Sequence, residues 1–253
     1  MAPDEALSHE RLSIPVCSQQ YIHWRALSSG MRGGASRMKI RFQEFDPYRF
    51  SFEKDPVLVL DEFWSPQERT YFQDAMQRST WKALADMPET SRNFPNCGNW
   101  LKAEIGELER RVFLDRLALP CIMDYIESFP NVKQRHVTSS YYTYVAGDCL
   151  SLHADTDTRY SSDPRGLEAE KRLAMVTYLH DEWLPDWAGE LIIYESKQDR
   201  EGKQVFEVSY CIPPQPGSLV LFTVPRLHRV CRVDPLAGDH KRLSIAGWFM
   251  TEH

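Results

Sequence analysis

From residue 136 onward the chain alternates short β-branched and aromatic runs with turn residues: HVTSSYYTYV (136–145), LAMVTYL (173–179), ELIIY (190–194), QVFEVSY (204–210), SLVLFTV (218–224), HRVCRV (228–233) and RLSIAGWF (242–249). No helical period interrupts them, so they predict seven strands. Evenly spaced strands of this kind build a β-sandwich or barrel, and a jelly roll is one such solution because it protects the sheet edges. Upstream the pattern differs. PVLVLDEF (56–63) predicts a strand, and Ser65-Pro66-Gln67-Glu68 follows it as a capping box with proline at the first helical position. Tyr71, Phe72 and Met76 then fall near helical spacing. From about Glu104 to Ser128 a second helical stretch carries Leu108, Val112, Leu117, Ile122, Tyr125 and Ile126, with Pro120 as a kink or break. These helices need a sheet to cover their apolar faces. The expected fold is mainly β within an α+β arrangement, a barrel buttressed by N-terminal helices.

Residues 1–37 show no clear apolar period and pass through SSGMRGGAS (28–36), which has linker composition. We read them as a flexible N-terminal tail, with Met38 as a natural start because MKIRFQEF opens patterned sequence at once. Residues 38–253 are then expected to form one domain. Composition adds little beyond exclusion: 42% hydrophobic and 26% charged residues are ordinary for a globular chain. The net charge of −6 has no dense basic block, which argues against a nucleic-acid partner. No apolar run approaches the roughly 20 residues of a membrane span. The cysteines are scattered without a C-x-x-C pair, which suits a reducing cytosol and predicts a cytoplasmic protein with buried thiols.

The candidate chemistry lies in Tyr144-Val-Ala-Gly147-Asp-Cys-Leu-Ser-Leu-His153-Ala-Asp155. If this stretch is a strand, His153 and Asp155 share a face and can converge on one ion. His228, directly after the strand SLVLFTV, offers a third donor, and His240 is its rival for that position. Two histidines and one carboxylate with open coordination positions are the donor set of non-haem Fe(II) oxygenases. Arg242 and Ser244 share a later strand face. A buried guanidinium is costly unless it meets an anion, and its planar fork suits a carboxylate.

In this ordered set the chain resembles the prolyl-hydroxylase branch of the 2-oxoglutarate and Fe(II)-dependent dioxygenases, across about residues 56–250. The resemblance is carried by the Y-x-x-G of Tyr144 and Gly147, the H-x-D motif, RLAMVTYLHDEWLPDWAGELIIYE (172–195), GSLVLF (217–222), His228 and RLSIAGWF. It implies a double-stranded β-helix, the jelly-roll or cupin-like barrel, with His153, Asp155 and His228 as iron ligands. It further implies that Arg242 pairs with the distal carboxylate of 2-oxoglutarate and that Tyr178 donates a hydrogen bond to that carboxylate, with Tyr144 and Ser244 lining the same pocket. Fe(II), 2-oxoglutarate and O2 are the implied reactants, with ascorbate as a reductant. The products are succinate, CO2 and a hydroxylated C–H bond, on a prolyl residue of a protein or on a free amino acid or natural product. The formal charges of iron, Asp155, the co-substrate and Arg242 cancel, so a desolvated site holds them without a stranded charge. Two departures stand out. The family's double glycine is Ala188-Gly189 here, and Leu150 occupies a position that is aromatic in several prolyl hydroxylases.

Asp155 disfavours a halogenase, which needs a chloride position there, and Trp248 stands where a nucleic-acid demethylase has a second arginine. Intact ligands argue against a silent binding module. His180 and Asp181 are adjacent, so as strand residues they point apart, and His9, His23, His136 and His253 have no supporting context. Of Tyr141 to Tyr144 at most two can face a pocket, while Trp183, Trp187 and Trp248 read as core or rim packing. Residues 156–171 (TDTRYSSDPRGLEAEK) are polar and longer than the ~4–6 residues that usually join strands, and their departure from Asp155 predicts a substrate lid.

Overall fold

A computed structural model describes residues 39–41, 57–129, 132–155 and 169–252. The expected N-terminal tail and residues 156–168 of the expected 156–171 lid lie outside the described residues, whereas 169–171 belong to a strand and not to a loop. The described chain runs β1 (Lys39–Arg41), β2 (Leu58–Asp61), α1 (Pro66–Gln77), β3 (Lys82–Ala83), α2 (Pro88–Asn93) and β4 (Leu101–Glu104). It continues through α3 (Glu107–Leu117), α4 (Pro120–Glu127), β5 (Val132–Tyr144), β6 (Leu150–His153), β7 (Ala169–Tyr178) and β8 (Leu191–Gln198). Last come β9 (Gln204–Ile212), β10 (Leu219–Thr223), β11 (His228–Val230) and β12 (Arg242–Glu252).

Two antiparallel sheets face each other as a jelly roll, the double-stranded β-helix. One has the order β1-β2-β10-β7-β12-β5-β4-β3 and the other β6-β11-β8-β9. The larger sheet is covered on both sides, which explains why β10 is buried at every position and reads as a continuous apolar run. Alternate residues serve different cores. Leu219 and Leu221 of β10, Leu173 and Met175 of β7, and Ile245 and Phe249 of β12 join Phe72, Phe113, Ile122 and Ile126 of the helices. Val220 and Phe222, Ala174 and Val176, and Leu191 and Ile193 of β8 fill the space between the sheets. The helices therefore buttress the outer face of the larger sheet, and the barrel interior is left for the site.

At the start of α1 the capping box forms as the local sequence dictates: Glu68 N–H donates to Ser65 Oγ at 3.3 Å, and Ser65 N–H donates to the Glu68 carboxylate at 2.8 Å. The second helical stretch divides at Ala118-Leu119, with Pro120 opening α4 rather than kinking one long helix. Its start also differs, because Glu104 ends β4, paired with Ser140 of β5. Among the described residues no helix is long and apolar enough to cross a membrane. Cys97, Cys121 and Cys149 are buried as expected, but Cys211 is exposed and Cys231 half-buried, since the outer face of the smaller sheet has no covering layer among the described residues.

Ser65→Ala removes one side of the capping box and should lower stability by about 1 kcal/mol. Chemical denaturation followed by circular dichroism checks this, with an unchanged midpoint counting against the cap.

Candidate metal and anion site

The site begins with strand register. His228 of β11 pairs directly with His153 of β6, and their rings lie 4.1 Å apart. The β6–β11 ladder is irregular here, since Val230 pairs with Leu150, so three steps on β6 match two on β11. This bulge lets Leu150 and His153 line the same cavity while Leu152 turns outward, 45% exposed. Asp155 arrives by a different route from the one that alternation predicts. The strand ends at His153, and Asp155 adopts a left-handed φ of 57°, a conformation that aspartate tolerates better than most residues. A turn, not a shared strand face, brings the carboxylate to the histidines.

The ligand atoms of His153, Asp155 and His228 all lie within 4.8 Å of one another. Asp155 Oδ1 is 3.5 Å from His153 Nε2, and Asp155 Oδ2 is 3.5 Å from His228 Nε2. Each imidazole donates its Nδ1–H to a backbone carbonyl two residues earlier, His153 to Ser151 O and His228 to Arg226 O, both at 2.8 Å. These bonds set the tautomer, so both Nε2 lone pairs face the carboxylate. Burial and the neighbouring His153 push the His228 imidazole below its ordinary value against the pull of Asp155, which keeps it neutral. Burial works to raise Asp155, but His228, His153, Lys171 and Trp248 together hold its carboxyl below the usual range. Two imidazole nitrogens and one carboxylate oxygen, presented together from one side, fit a divalent iron with remaining positions open to a chelating co-substrate and O2.

Trp248 packs against the core between the sheets as expected and also takes part in this arrangement. Its indole N–H donates to Asp155 Oδ2 at 2.7 Å. Lys171 of β7 lies over its ring, 3.8 Å from the centroid, with Nζ 4.0 Å from Asp155 Oδ1. In the sequence Trp248 is one more aromatic in a strand, and only the register of β12 against the cavity reveals the bond.

A cavity of about 450 Å³ extends from this cluster to Arg242. Arg242 is 2% exposed and pairs with no carboxylate among the described residues. Its Nε donates to Gly189 O at 2.9 Å and its Nη2 to Tyr178 Oη at 3.3 Å, with its guanidinium 4.8 Å from the Tyr178 ring and 5.4 Å from that of Tyr144. Gly189 matters here for space: a Cβ would stand 3.2 Å from Arg242 Cδ. Ala188 before it sits at φ 54°, ψ −140°, backbone that glycine accepts more readily, so the Ala188-Gly189 departure leaves a strained residue in this turn. Its carbonyl accepts from Trp183 Nε1 at 2.7 Å. Burial raises Tyr178 and Tyr144, so both hydroxyls keep their protons. Tyr144 and Ser244 are buried and line the cavity, and Tyr142 lines it too, while Tyr141 packs in the helix-side core.

The rival donors stand apart. His240 is exposed and stacked on Trp187, 4.2 Å between centroids. His180 is buried and donates Nε2–H to Pro214 O at 2.7 Å, and burial holds it down at about 4. His9, His23 and His253 lie outside the described residues. The cavity mouth includes an element that the sequence pattern does not predict. Helix α2 brings Glu89, Thr90 and Asn93 to it, and Phe94 sets its edge against His153 at 5.1 Å.

Replacing Trp248 with phenylalanine keeps the ring under Lys171 and removes the N–H. Calorimetric titration with Mn(II) should show metal affinity falling by about tenfold, the lower end of what outer partners of metal ligands contribute. An unchanged affinity would leave Trp248 as packing alone.

The family model of the 2OG-Fe(II) oxygenase superfamily matches residues 139–250, which hold all three converging donors and Arg242. No curated protein matches the chain. Among solved structures, a prolyl-4-hydroxylase from Pseudomonas putida is similar at 18% identity and a TM-score of 0.47, over 76% of this chain and 91% of that one. The viral collagen prolyl hydroxylase of Paramecium bursaria Chlorella virus-1 gives 14% identity and a TM-score of 0.49, over 77% and 96%. HygX of Streptomyces hygroscopicus, solved with nickel, 2-oxoglutarate and hygromycin B, gives 15% identity and a TM-score of 0.47, over 76% and 82%. Residues 139–250 are thus similar to the 2OG-Fe(II) oxygenase superfamily, and together with the three converging donors they support a 2-oxoglutarate- and Fe(II)-dependent dioxygenase.

Proposed function

We propose that this dioxygenase hydroxylates a prolyl residue of a protein substrate, with iron held by His153, Asp155 and His228 and with Arg242 and Tyr178 holding the distal carboxylate of 2-oxoglutarate. The observation that carries the reading is the frame around Arg242. In the Y-L…W…G-x-L segment of the prolyl-hydroxylase resemblance, Tyr178 Oη and Gly189 O accept hydrogen bonds from Arg242 and hold its guanidinium at the cavity, while Trp183 Nε1 donates to Ala188 O and fixes the turn before Gly189. Iron held by His153, Asp155 and His228 would supply the oxidising chemistry together with 2-oxoglutarate and O2. The chain's own residues do the rest. The Nδ1–H bonds hold the imidazole donors in place, Trp248 holds one oxygen of Asp155, and the fork of Arg242 selects a dicarboxylate by two parallel hydrogen bonds. Tyr144 and Ser244 close the interior around the co-substrate. The five described cysteines are all free, in keeping with a reducing, cytoplasmic setting.

A second reading, hydroxylation of a free amino acid or natural product, is favoured by Leu150. It lines the cavity where the resemblance places an aromatic residue, so the substrate wall differs from that of several prolyl hydroxylases.

Incubating lysate peptides and metabolites with the enzyme, Fe(II), 2-oxoglutarate and ascorbate should add one oxygen atom to a prolyl residue, read by tandem mass spectrometry. An oxygen found only on small molecules moves the assignment to the second reading. At the co-substrate end, Arg242→Lys keeps the charge and loses the fork, so the apparent KM for 2-oxoglutarate should rise. Arg242→Ala should raise it further, at a cost of about 2–5 kcal/mol for a broken buried charge pair. An unchanged KM in both variants would remove Arg242 from the site.

A further inference from the structure

The outer wall of the cavity carries a cation that neither the metal nor the co-substrate accounts for. Arg242 is assigned to 2-oxoglutarate and Lys171 sits against Asp155, but Lys102 of β4 lines the cavity, is only half-buried, and pairs with no carboxylate among the described residues. Glu89, an exposed carboxylate on α2 at the same cavity, makes no ion pair with it. Directly opposite Lys102 in the β3–β4 ladder stands a second lysine, Lys82. Like charges facing each other across an antiparallel pair are destabilising. Burial lowers the Lys102 ammonium below its ordinary value, with Glu104 opposing and Lys82 adding to the fall. A lysine so placed gains from an anion.

A third group points the same way. Trp100 is two residues before Lys102 and so shares its face of the chain. It is 3% exposed and lines the cavity, and its indole N–H, closed off where the ring stands, has no hydrogen-bond partner among the described residues. A buried N–H without an acceptor costs about 1–3 kcal/mol, which a ligand oxygen that draws the ring toward it would recover. The aromatic neighbours hold these donors in place. Tyr142 of β5 is the cross-strand partner of Lys102, and its ring lies 5.8 Å from both the Trp100 ring and Lys102 Nζ. Trp100 also stacks on Tyr144, at 5.8 Å and an interplanar angle of 19°.

We propose that Trp100 and Lys102, reinforced by Lys82 at the rim, form an anion subsite that receives a carboxylate of the substrate, so that the enzyme prefers substrates with an acid group near the carbon to be hydroxylated. The inference deepens the hydroxylase reading of the same site and rests on it. The carboxylate has two sources, an Asp or Glu side chain beside a peptidyl proline or the acid group of a small molecule.

The test measures binding rather than turnover. Enzyme loaded with Fe(II) and saturating 2-oxoglutarate without oxygen, so that the Arg242 end is filled, is titrated calorimetrically with two matched pairs. One is a proline peptide carrying Glu or Gln beside the proline, and the other is N-acetylleucine or its amide. The acid of at least one pair should bind about tenfold more tightly than its neutral partner, about the 1.4 kcal/mol of a single good ion pair. That preference should vanish in Lys102→Met and shrink in Trp100→Phe, with 2-oxoglutarate affinity unchanged in both. Lys102→Gln serves where the methionine variant folds poorly. A preference on the peptide pair assigns the subsite to an acidic flanking residue. A preference on the leucine pair alone supports the subsite while counting against the prolyl reading, so the two proposals fail separately. Equal binding of acid and amide in the unmodified enzyme, no binding of any probe, or a preference that survives Lys102→Met overturns the inference.

Discussion

The pairing of His228 with His153 across β6 and β11 is the constraint on which the site depends. The two residues are remote in sequence, and only a ladder register brings their Nε2 atoms to one carboxylate. A slip of one residue would turn His228 to the opposite face of the sheet. The bulge on β6 adjusts the other strand, so that Leu150 closes the cavity wall without turning His153 outward. The imidazoles are then held at a second point by their own backbone carbonyls, Ser151 O and Arg226 O, which convert two rotatable side chains into directed donors.

Strand β12 links this metal end to the anion end. Arg242, Ser244, Ala246 and Trp248 follow one another on its cavity face, between β5 and β7 in the larger sheet. The partners of that face are the functional neighbours: Arg242 lies opposite Tyr144 and Ser244 opposite Tyr178. The other face carries Ile245 and Phe249 into the helix-side core. The helices thus stiffen the strand whose inner face spaces a guanidinium from an aspartate, so packing far from the cavity governs geometry within it. Charge sets a complementary demand. Asp155 has Lys171, two imidazoles and an indole N–H around it, whereas among the described residues Arg242 donates only to a carbonyl and a phenol. The buried guanidinium is therefore the group whose environment calls for an external anion.

Much of this was legible in the sequence where the signal is local. The Ser65–Glu68 cap depends on residues three apart, and β10 and β12 announce themselves by alternation or by a continuous apolar run. The donor types of the site were also legible, because H-x-D, which is a frequent accident alone, is followed in order by His228, Arg242 and Ser244 among the strands. What escaped depends on register or on short elements. The route of Asp155 through a left-handed turn, the bulge before His153 and the bond from Trp248 to Asp155 cannot be read from spacing, since each requires knowing which residue lies opposite which. Helix α2 and strands β3 and β4 are too short to show a period.

Two of those short elements, α2 and β4, contribute residues to the cavity lining. The metal and co-substrate ends are built on long, doubly covered strands, where burial enforces one register and the chemistry tolerates little variation. The mouth is built from α2, which has no buried residue, and from a two-residue strand paired to a four-residue one at the sheet edge. Substitutions on α2 cost little stability, because none of its residues is buried. A lysine pair and an unpartnered indole N–H can therefore be carried at the edge without endangering the barrel, provided that binding offsets the repulsion. The division follows from the physics of burial: the interior conserves the reaction, and the thinly packed rim is where a common catalytic barrel can be given its own substrate.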